Sequence, residues 1–179
     1  MVNKAVFLDR DGVINLSKVI NGKPIAPISI TEFRLYPAIK KLLYELIKKK
    51  FKLIVVTNQP DISIGKIKIE ELNKMHERIY QELPITDIFV CPHNKKEDCN
   101  CRKPKPGMLK KAINKYKISV KKSFIIGDRK SDIDAGLNLN LKTIYIDRDY
   151  KEEKPNKFDF ITKSTKKALE IIIHHDKKN

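Results

Sequence analysis

Phe7-Leu8-Asp9-Arg10-Asp11-Gly12-Val13-Ile14-Asn15, residues 7–15, decides the fold, because an apolar run that starts at Ala5 ends there in two carboxylates two positions apart. Ala5-Val6-Phe7-Leu8 shows no polar alternation, which describes a strand covered on both faces, as in an α/β sheet. A strand of period two aims Asp9 and Asp11 the same way, at its carboxyl end, the edge of an open parallel sheet where ligands bind. Two carboxylates 4 Å apart repel by about 4 kcal/mol at an effective dielectric near 20, so a cation must sit between them or one must be protonated. Gly12 tolerates the turn that follows, and a hard divalent ion such as magnesium prefers such oxygens. A DxDG alone equally describes a polar strand end entering a turn, so the remaining chain has to decide.

At 179 residues the chain predicts one domain spanning 1–179. Its formal net charge of +16 raises nucleic acid or an anionic membrane as partners. Yet 32 of the 38 basic residues are Lys, spread along the chain, and Arg, the residue suited to bidentate phosphate and base recognition, is scarce. The expectation is therefore a small anionic substrate, with neither a specific nucleic acid nor a membrane as partner. No apolar run approaches eighteen residues and the amino terminus runs straight into a strand, which predicts a cytoplasmic protein, and a monomer is expected. All three Cys fall between 91 and 101, pointing to metal and away from a disulfide framework.

Residues 16 to 35, broken by Gly22, Pro24 and Pro27, read as a loop lying over the site. Pro37 opens a helix whose inner face is Ile39, Leu42, Leu43, Leu46 and Ile47, with Lys48 to Lys50 at its negative end. Leu53-Ile54-Val55-Val56 is a second buried strand ending in Thr57-Asn58-Gln59. Strand-helix-strand units are right-handed in nearly all cases, so Thr57 emerges on the same edge as Asp9. Lys68 to Leu83 predicts a helix with Met75 in the core and His76 solvated on the polar side, and Asp87-Ile88-Phe89-Val90 predicts a third strand.

Cys91, His93, Cys99 and Cys101 offer three thiolates and one imidazole within eleven residues, enough to fill a tetrahedral zinc shell and leave it closed, hence structural. The peptide between 91 and 101 has almost no apolar content, so the metal would be what fixes the loop. Arg102-Lys103-Pro104-Lys105-Pro106-Gly107 follows as a rigid basic turn that could present Arg102 and Lys103 to a phosphate. A helix then carries Leu109, Ala112, Ile113 and Tyr116. Ser123-Phe124-Ile125-Ile126 is a fourth strand ending in Gly127-Asp128, and Asp128 would complete the metal site begun by Asp9 and Asp11. Asp132 could orient neighbours, and Asp134 complements the helix dipole. Thr143 to Ile146 makes a fifth strand, residues 149–157 a charged connection, and Phe158 to Ile161 a short edge strand. Ser164 caps a last helix with Ala168, Leu169 and Ile172 inward, while His174, His175 and the lysine-rich tip read as a frayed tail.

In order, four strand ends carry DxDG, Thr57-Asn58, a lysine-bearing basic turn and Gly127-Asp128. This set resembles the haloacid dehalogenase superfamily of phosphatases. Cys91-Pro92-His93 followed by Cys99-Asn100-Cys101-Arg102-Lys103-Pro104-Lys105-Pro106-Gly107-Met108 narrows it, closely resembling the heptose bisphosphate phosphatase and histidinol phosphatase branch. The match runs from Lys4 to about Ile161. It implies a doubly wound parallel α/β sheet, a Rossmann-like core, in a single domain without a large cap.

By the same resemblance Asp9 attacks phosphorus to form an aspartyl phosphate, while Asp11 protonates the leaving alkoxide and later takes a proton from water. Magnesium is held by the Asp9 and Asp128 side chains and the Asp11 backbone carbonyl. Thr57 and Lys103 stabilise the transferring phosphoryl oxygens, Arg102 reaches the substrate, and Asn58 and Gln59 line the pocket. The implied reaction is hydrolysis of the 7-phosphate of D-glycero-D-manno-heptose 1,7-bisphosphate, a sugar bisphosphate, with histidinol phosphate as the alternative substrate. Asp61 stands where the heptose branch commonly has Gly, and Ile64 where it often has Arg; Lys66 and Lys18 are the nearby cations available instead. A different class, a basic nucleic-acid-binding module with a zinc clip, predicts steep salt-dependent binding to DNA or RNA and no hydrolysis of any phosphomonoester.

Overall fold

The apolar run of the opening stretch becomes β1 (Lys4–Leu8), and Ala5, Val6, Phe7 and Leu8 are all fully buried, as a strand covered on both faces requires. The protein is described by a computed structural model over residues 2–176; the lysine-rich carboxyl tip lies outside the described residues. β1 pairs in parallel with β4 (Phe51–Asn58) on one side and with β6 (Phe124–Gly127) on the other. β5 (Asp87–Cys91) continues the sheet beyond β4, and β7 (Lys142–Ile146) and β8 (Phe160–Thr162) continue it beyond β6, giving the order β5-β4-β1-β6-β7-β8, parallel throughout. The winding direction reverses between β1 and β6, so a crevice opens beyond their carboxyl ends, where ligands of such sheets bind.

Alternate residues of the strands serve opposite layers. Val6, Leu8, Leu53 and Val55 face α1 (Ile39–Lys48), α2 (Ile69–Glu82) and α5 (Thr165–His175), meeting Leu43, Leu46, Leu72, Met75, Leu169 and Ile172. Ala5, Phe7, Ile54 and Val56 face α3 (Gly107–Tyr116) and α4 (Lys130–Leu137), meeting Met108, Leu109, Ala112 and Ala135. This is the doubly wound architecture expected, with no separate cap among the described residues. Among those residues, no helix is long and apolar enough to cross a membrane.

Three local readings need correction. Residues 16 to 35 are not all loop: β2 (Lys18–Ile20) and β3 (Lys23–Ile25) form an antiparallel hairpin. Its turn is Asn21-Gly22, both at positive φ, the pair that suits a two-residue hairpin turn and that sequence reading passed over. Lys151 donates to the Gly22 carbonyl at 2.8 Å and ties the hairpin to the β7–β8 connection. Second, Pro37 does not occupy the first helical turn; α1 begins at Ile39 after Ala38, whose φ of 63° breaks the helical path. Third, the end of α5 is docked, not frayed. His175 sets its ring edge-on to Phe124 and Phe160, and Asp176 pairs with Lys4 and with Lys49.

Candidate active site and metal-binding loop

The strand ends converge on one buried charge cluster. Asp9 follows β1, and Lys103, almost fully buried, reaches it from the turn after the cysteine loop: Nζ donates to Asp9 Oδ1 at 2.6 Å and to the Val56 carbonyl at 2.6 Å, and meets Asp132 Oδ1 at 2.7 Å. The turn is held in place by Asn58 at the end of β4, whose amide donates to the Lys103 carbonyl and accepts from the Lys103 backbone N–H, both at 3.1 Å. Asp128, one residue past β6, is buried beside them. The Tyr150 hydroxyl donates to Asp128 Oδ2 at 2.9 Å, while buried Oδ1 has no partner among the described residues.

Oxygens of Asp9, Asp128 and Asp132 lie within 4.8 Å of one another. Burial, then the neighbouring Asp132 and Asp11, push the Asp9 carboxyl up to about 7 although Lys103 pulls it down. Burial and the Asp9 charge push Asp128 well above the usual carboxylate range. Three buried carboxylates against the Lys103 ammonium lack positive charge, and Asp128 Oδ1 is buried without a partner among the described residues. An all-carboxylate donor set fits a hard divalent cation.

Asp11 is placed differently from the expectation. β1 ends at Leu8, so period-two alternation does not extend to residue 11. Asp11 sits instead in a tight turn closed by the Ile14 N–H to the Arg10 carbonyl and the Gly12 N–H to the Asn15 carbonyl, each 2.8 Å. Gly12 is required there: its φ is +84°, and a Cβ would lie 1.8 Å from Asp128 Oδ2. The Asp11 carboxylate turns to its own partners. Arg10 donates to both of its oxygens at 3.0–3.2 Å, Asn15 to Oδ1 at 2.9 Å and Gln59 to Oδ2 at 2.7 Å. Of the side-chain cations, Lys103 pairs with Asp9 and Arg10 with Asp11.

His76, expected on a solvated face, is buried with Nε2 3.4 Å from Arg10 Nη1. Burial, and then the Arg10 guanidinium, lower it from 6.5 to about 4, opposed by Asp11. The imidazole is therefore neutral at neutral pH. The unfolded chain takes up this proton first on acidification, so the stability contributed is complete above about pH 6.5 and lost as pH falls towards 4, on the order of 2 to 3 kcal/mol. Chemical denaturation of wild type and His76→Gln across pH 4–7 checks this: the stability difference between them should shift towards the variant as pH falls, and a constant difference would refute it.

Cys91 at the end of β5, His93, Cys99 and Cys101 form a second donor group, also within 4.8 Å. Sulfur–sulfur separations are 3.1–3.5 Å, and His93 Nδ1 lies 3.6 Å from the Cys91 sulfur and 3.2 Å from that of Cys101. The four donors are arranged to hold one metal ion. Between them the only regular structure is a short 3-10 turn, Lys95–Glu97, capped by Asn94. Arg102 is anchored to this loop through its Nη1, which donates to the His93 carbonyl at 2.9 Å.

A cleft of about 680 Å³ opens above the cluster, lined by Asp9, Asp11, Asn58, Arg102 and Lys103 among others, with Pro24, Ile25 and Ala26 of the hairpin side as its apolar wall. Lys66 and Asp61 also line it, whereas Lys18 is turned to Glu32 at 2.9 Å. Gln59, expected in the pocket wall, is instead buried behind it, bonded to Asp11, Thr57 and Arg10. Thr57 is likewise buried, its Oγ1 accepting from Gln59 Nε2 at 2.8 Å. Sequence reading missed Arg10 and Tyr150. Arg10 was hidden between two conspicuous acids, and Tyr150 in a connection with no periodicity; only its aromatic character amid charged residues marked it.

A family model described as HAD-hydrolase-like matches residues 100–166. The chain is 37% identical over 158 residues to a D-glycero-alpha-D-manno-heptose-1,7-bisphosphate 7-phosphatase of Campylobacter jejuni, covering 86% of this chain and 87% of that one. It is 34% identical over 168 residues to the histidine biosynthesis bifunctional protein HisB of Buchnera aphidicola, covering 91% of this chain and 45% of that protein. Among solved structures, that of D,D-heptose 1,7-bisphosphate phosphatase from B. bronchiseptica complexed with magnesium and phosphate superimposes with a TM-score of 0.82 at 22% identity, over 96% of this chain and 99% of that one.

Proposed function

The chain belongs to the haloacid dehalogenase superfamily, in the branch of the heptose-1,7-bisphosphate 7-phosphatases, and from that membership we propose that it hydrolyses the 7-phosphate of D-glycero-D-manno-heptose 1,7-bisphosphate through an aspartyl phosphate. The observation that carries this reading is the meeting of Asp9, Asp128 and Asp132 around Lys103 at the floor of an open cleft. Asp9 attacks phosphorus, forming a phosphorus–oxygen bond to its carboxylate as the bond to the sugar oxygen breaks. Lys103, gripping Asp9 Oδ1, fixes the plane of the nucleophile. Asp11 gives its proton to the departing alkoxide, then takes one from the water that attacks the aspartyl phosphate and restores Asp9. Asp9, Asp128 and the Asp11 backbone carbonyl would hold magnesium. When bound, that ion offsets the repulsion between carboxylate and phosphate and orients the phosphoryl group.

The Thr57 hydroxyl oxygen accepts from Gln59, which leaves its own proton for a phosphoryl oxygen. Asn58 and Arg102 contact substrate from the cleft wall, and Gln59 acts by steadying Asp11 and Thr57. The distal phosphate of the sugar meets Arg102 and Lys66, the latter standing in where the branch often carries Arg at the position of Ile64. Cys91, His93, Cys99 and Cys101 would hold a zinc ion in a structural role. Three reduced thiols suit a cytoplasmic setting.

Phosphate release from the heptose bisphosphate and from histidinol phosphate, each with magnesium and with EDTA, tests the proposal. The expected result is magnesium-dependent turnover with kcat/KM higher for the heptose bisphosphate. A preference for histidinol phosphate would transfer the assignment to that substrate, and absence of phosphomonoester hydrolysis would end it.

A further inference from the structure

Arg10 is the largest fully buried side chain among the described residues, and a buried guanidinium is costly unless its donors are satisfied and its charge is matched. Its surroundings are assembled around one task. Nε and Nη2 both reach the Asp11 carboxylate, Nη2 also donates to Gln59 Oε1 at 3.1 Å, and Nη1 lies 3.4 Å from a ring nitrogen of buried His76. The guanidinium carbon stands 5.8 Å from the centre of the buried Phe33 ring. Gln59 closes the circuit, accepting from Arg10 and donating to Asp11 Oδ2, so the amide can sit only one way round. Arg10 does not line the cleft, whereas Asp11 does, with its side chain 16% exposed.

We infer that Arg10 is the positioning residue of the acid–base step: from behind the cleft it holds the Asp11 carboxyl group towards the leaving-group oxygen and stabilises the carboxylate left when that proton has gone. The inference rests on the reading of Asp11 as acid and base. The step moves one proton from the Asp11 carboxyl to the alkoxide oxygen as the phosphorus–oxygen bond breaks, and the negative charge that appears on Asp11 faces a cation already in place. Electrostatic complementarity prepared in a buried setting needs little reorganisation at the moment of reaction. Because the second contact is through Gln59, and His76 packs against the far nitrogen, neither the guanidinium nor the carboxylate is free to swing away.

A leaving-group series separates this role from simple support of the fold. kcat/KM for magnesium-loaded enzyme is measured on aryl and alkyl phosphates whose alcohols span a range of acidity, for wild type, Asp11→Asn and Arg10→Met, with melting temperatures recorded alongside. Wild type should depend weakly on the alcohol. Asp11→Asn and Arg10→Met should both depend steeply, each losing at least about tenfold more on the poorest leaving group than on the best. A folded Arg10→Met that is slowed equally across the series would overturn the inference while leaving Asp11 as the acid. An Asp11→Asn variant with the shallow dependence of wild type would overturn the acid–base reading itself, and this inference with it. Should Arg10→Met not fold, Arg10→Lys, which keeps the charge and loses the two-nitrogen grip, decides by the same slope: steeper supports positioning, unchanged refutes it.

Discussion

Asp9→Asn is expected to reduce turnover by at least about ten-thousandfold while the protein folds as before. The amide keeps the shape of the carboxyl group but has no negative oxygen to attack phosphorus, so the covalent route is closed at its first step. The surroundings tolerate the exchange. Lys103 retains Asp132 at 2.7 Å and the Val56 carbonyl at 2.6 Å, and one of three mutually repelling carboxylates is gone. In the absence of magnesium the variant should therefore melt at or above the wild-type temperature. Steady-state phosphate release and a melting curve check both halves, and activity within tenfold of wild type would rule out an aspartyl phosphate on Asp9.

The second large effect concerns the cysteine loop. Cys99→Ser, or removal of the metal by a strong chelator, is expected to lower the melting temperature by about 10 °C and activity together. A closed structural site contributes folding energy outright, and about 3 to 5 kcal/mol lost from a chain of this size corresponds to a shift of that order. The loop has little else to order it beyond one capped 3-10 turn and the buried Cys91. Disorder would propagate, because Arg102 hangs on the His93 carbonyl and the next residue, Lys103, supplies the ammonium beside Asp9. Metal content by elemental analysis, melting temperature and kcat/KM should fall in step. A variant that binds no metal yet melts and turns over like wild type would show that the basic turn is fixed without it.

The comparison of Asp9 and Asp11 shows where sequence reading stops. Strand periodicity aims both carboxylates the same way, but the apolar run that licenses it ends at Leu8, and in the turn beyond Asp11 meets Arg10 while Asp9 meets Lys103. His76 is a similar case. On a helix of fourteen residues its polar neighbours assign it to the wet side, yet a buried guanidinium from β1's turn waits beneath it. Asn21-Gly22 is a hairpin signal that Pro24 works against; β3 tolerates that proline in a two-stranded ribbon that has no interior strand.

By itself the sequence determined the parallel sheet, the edge where the polar residues gather and the Cys91, His93, Cys99, Cys101 donor set, because these follow from local periodicity, from spacing within a dozen residues and from the right-handedness of crossovers. Only the tertiary structure decided which charge neutralises which. Lys103 meets Asp9 across 94 positions, Gln59 meets Asp11 across 48, and Arg10 meets His76 across 66. The physical reason is that a buried ion pair depends on which side chains the close-packed layers bring within about 3 Å of each other, with water excluded, and that proximity has no counterpart in the spacing along the chain.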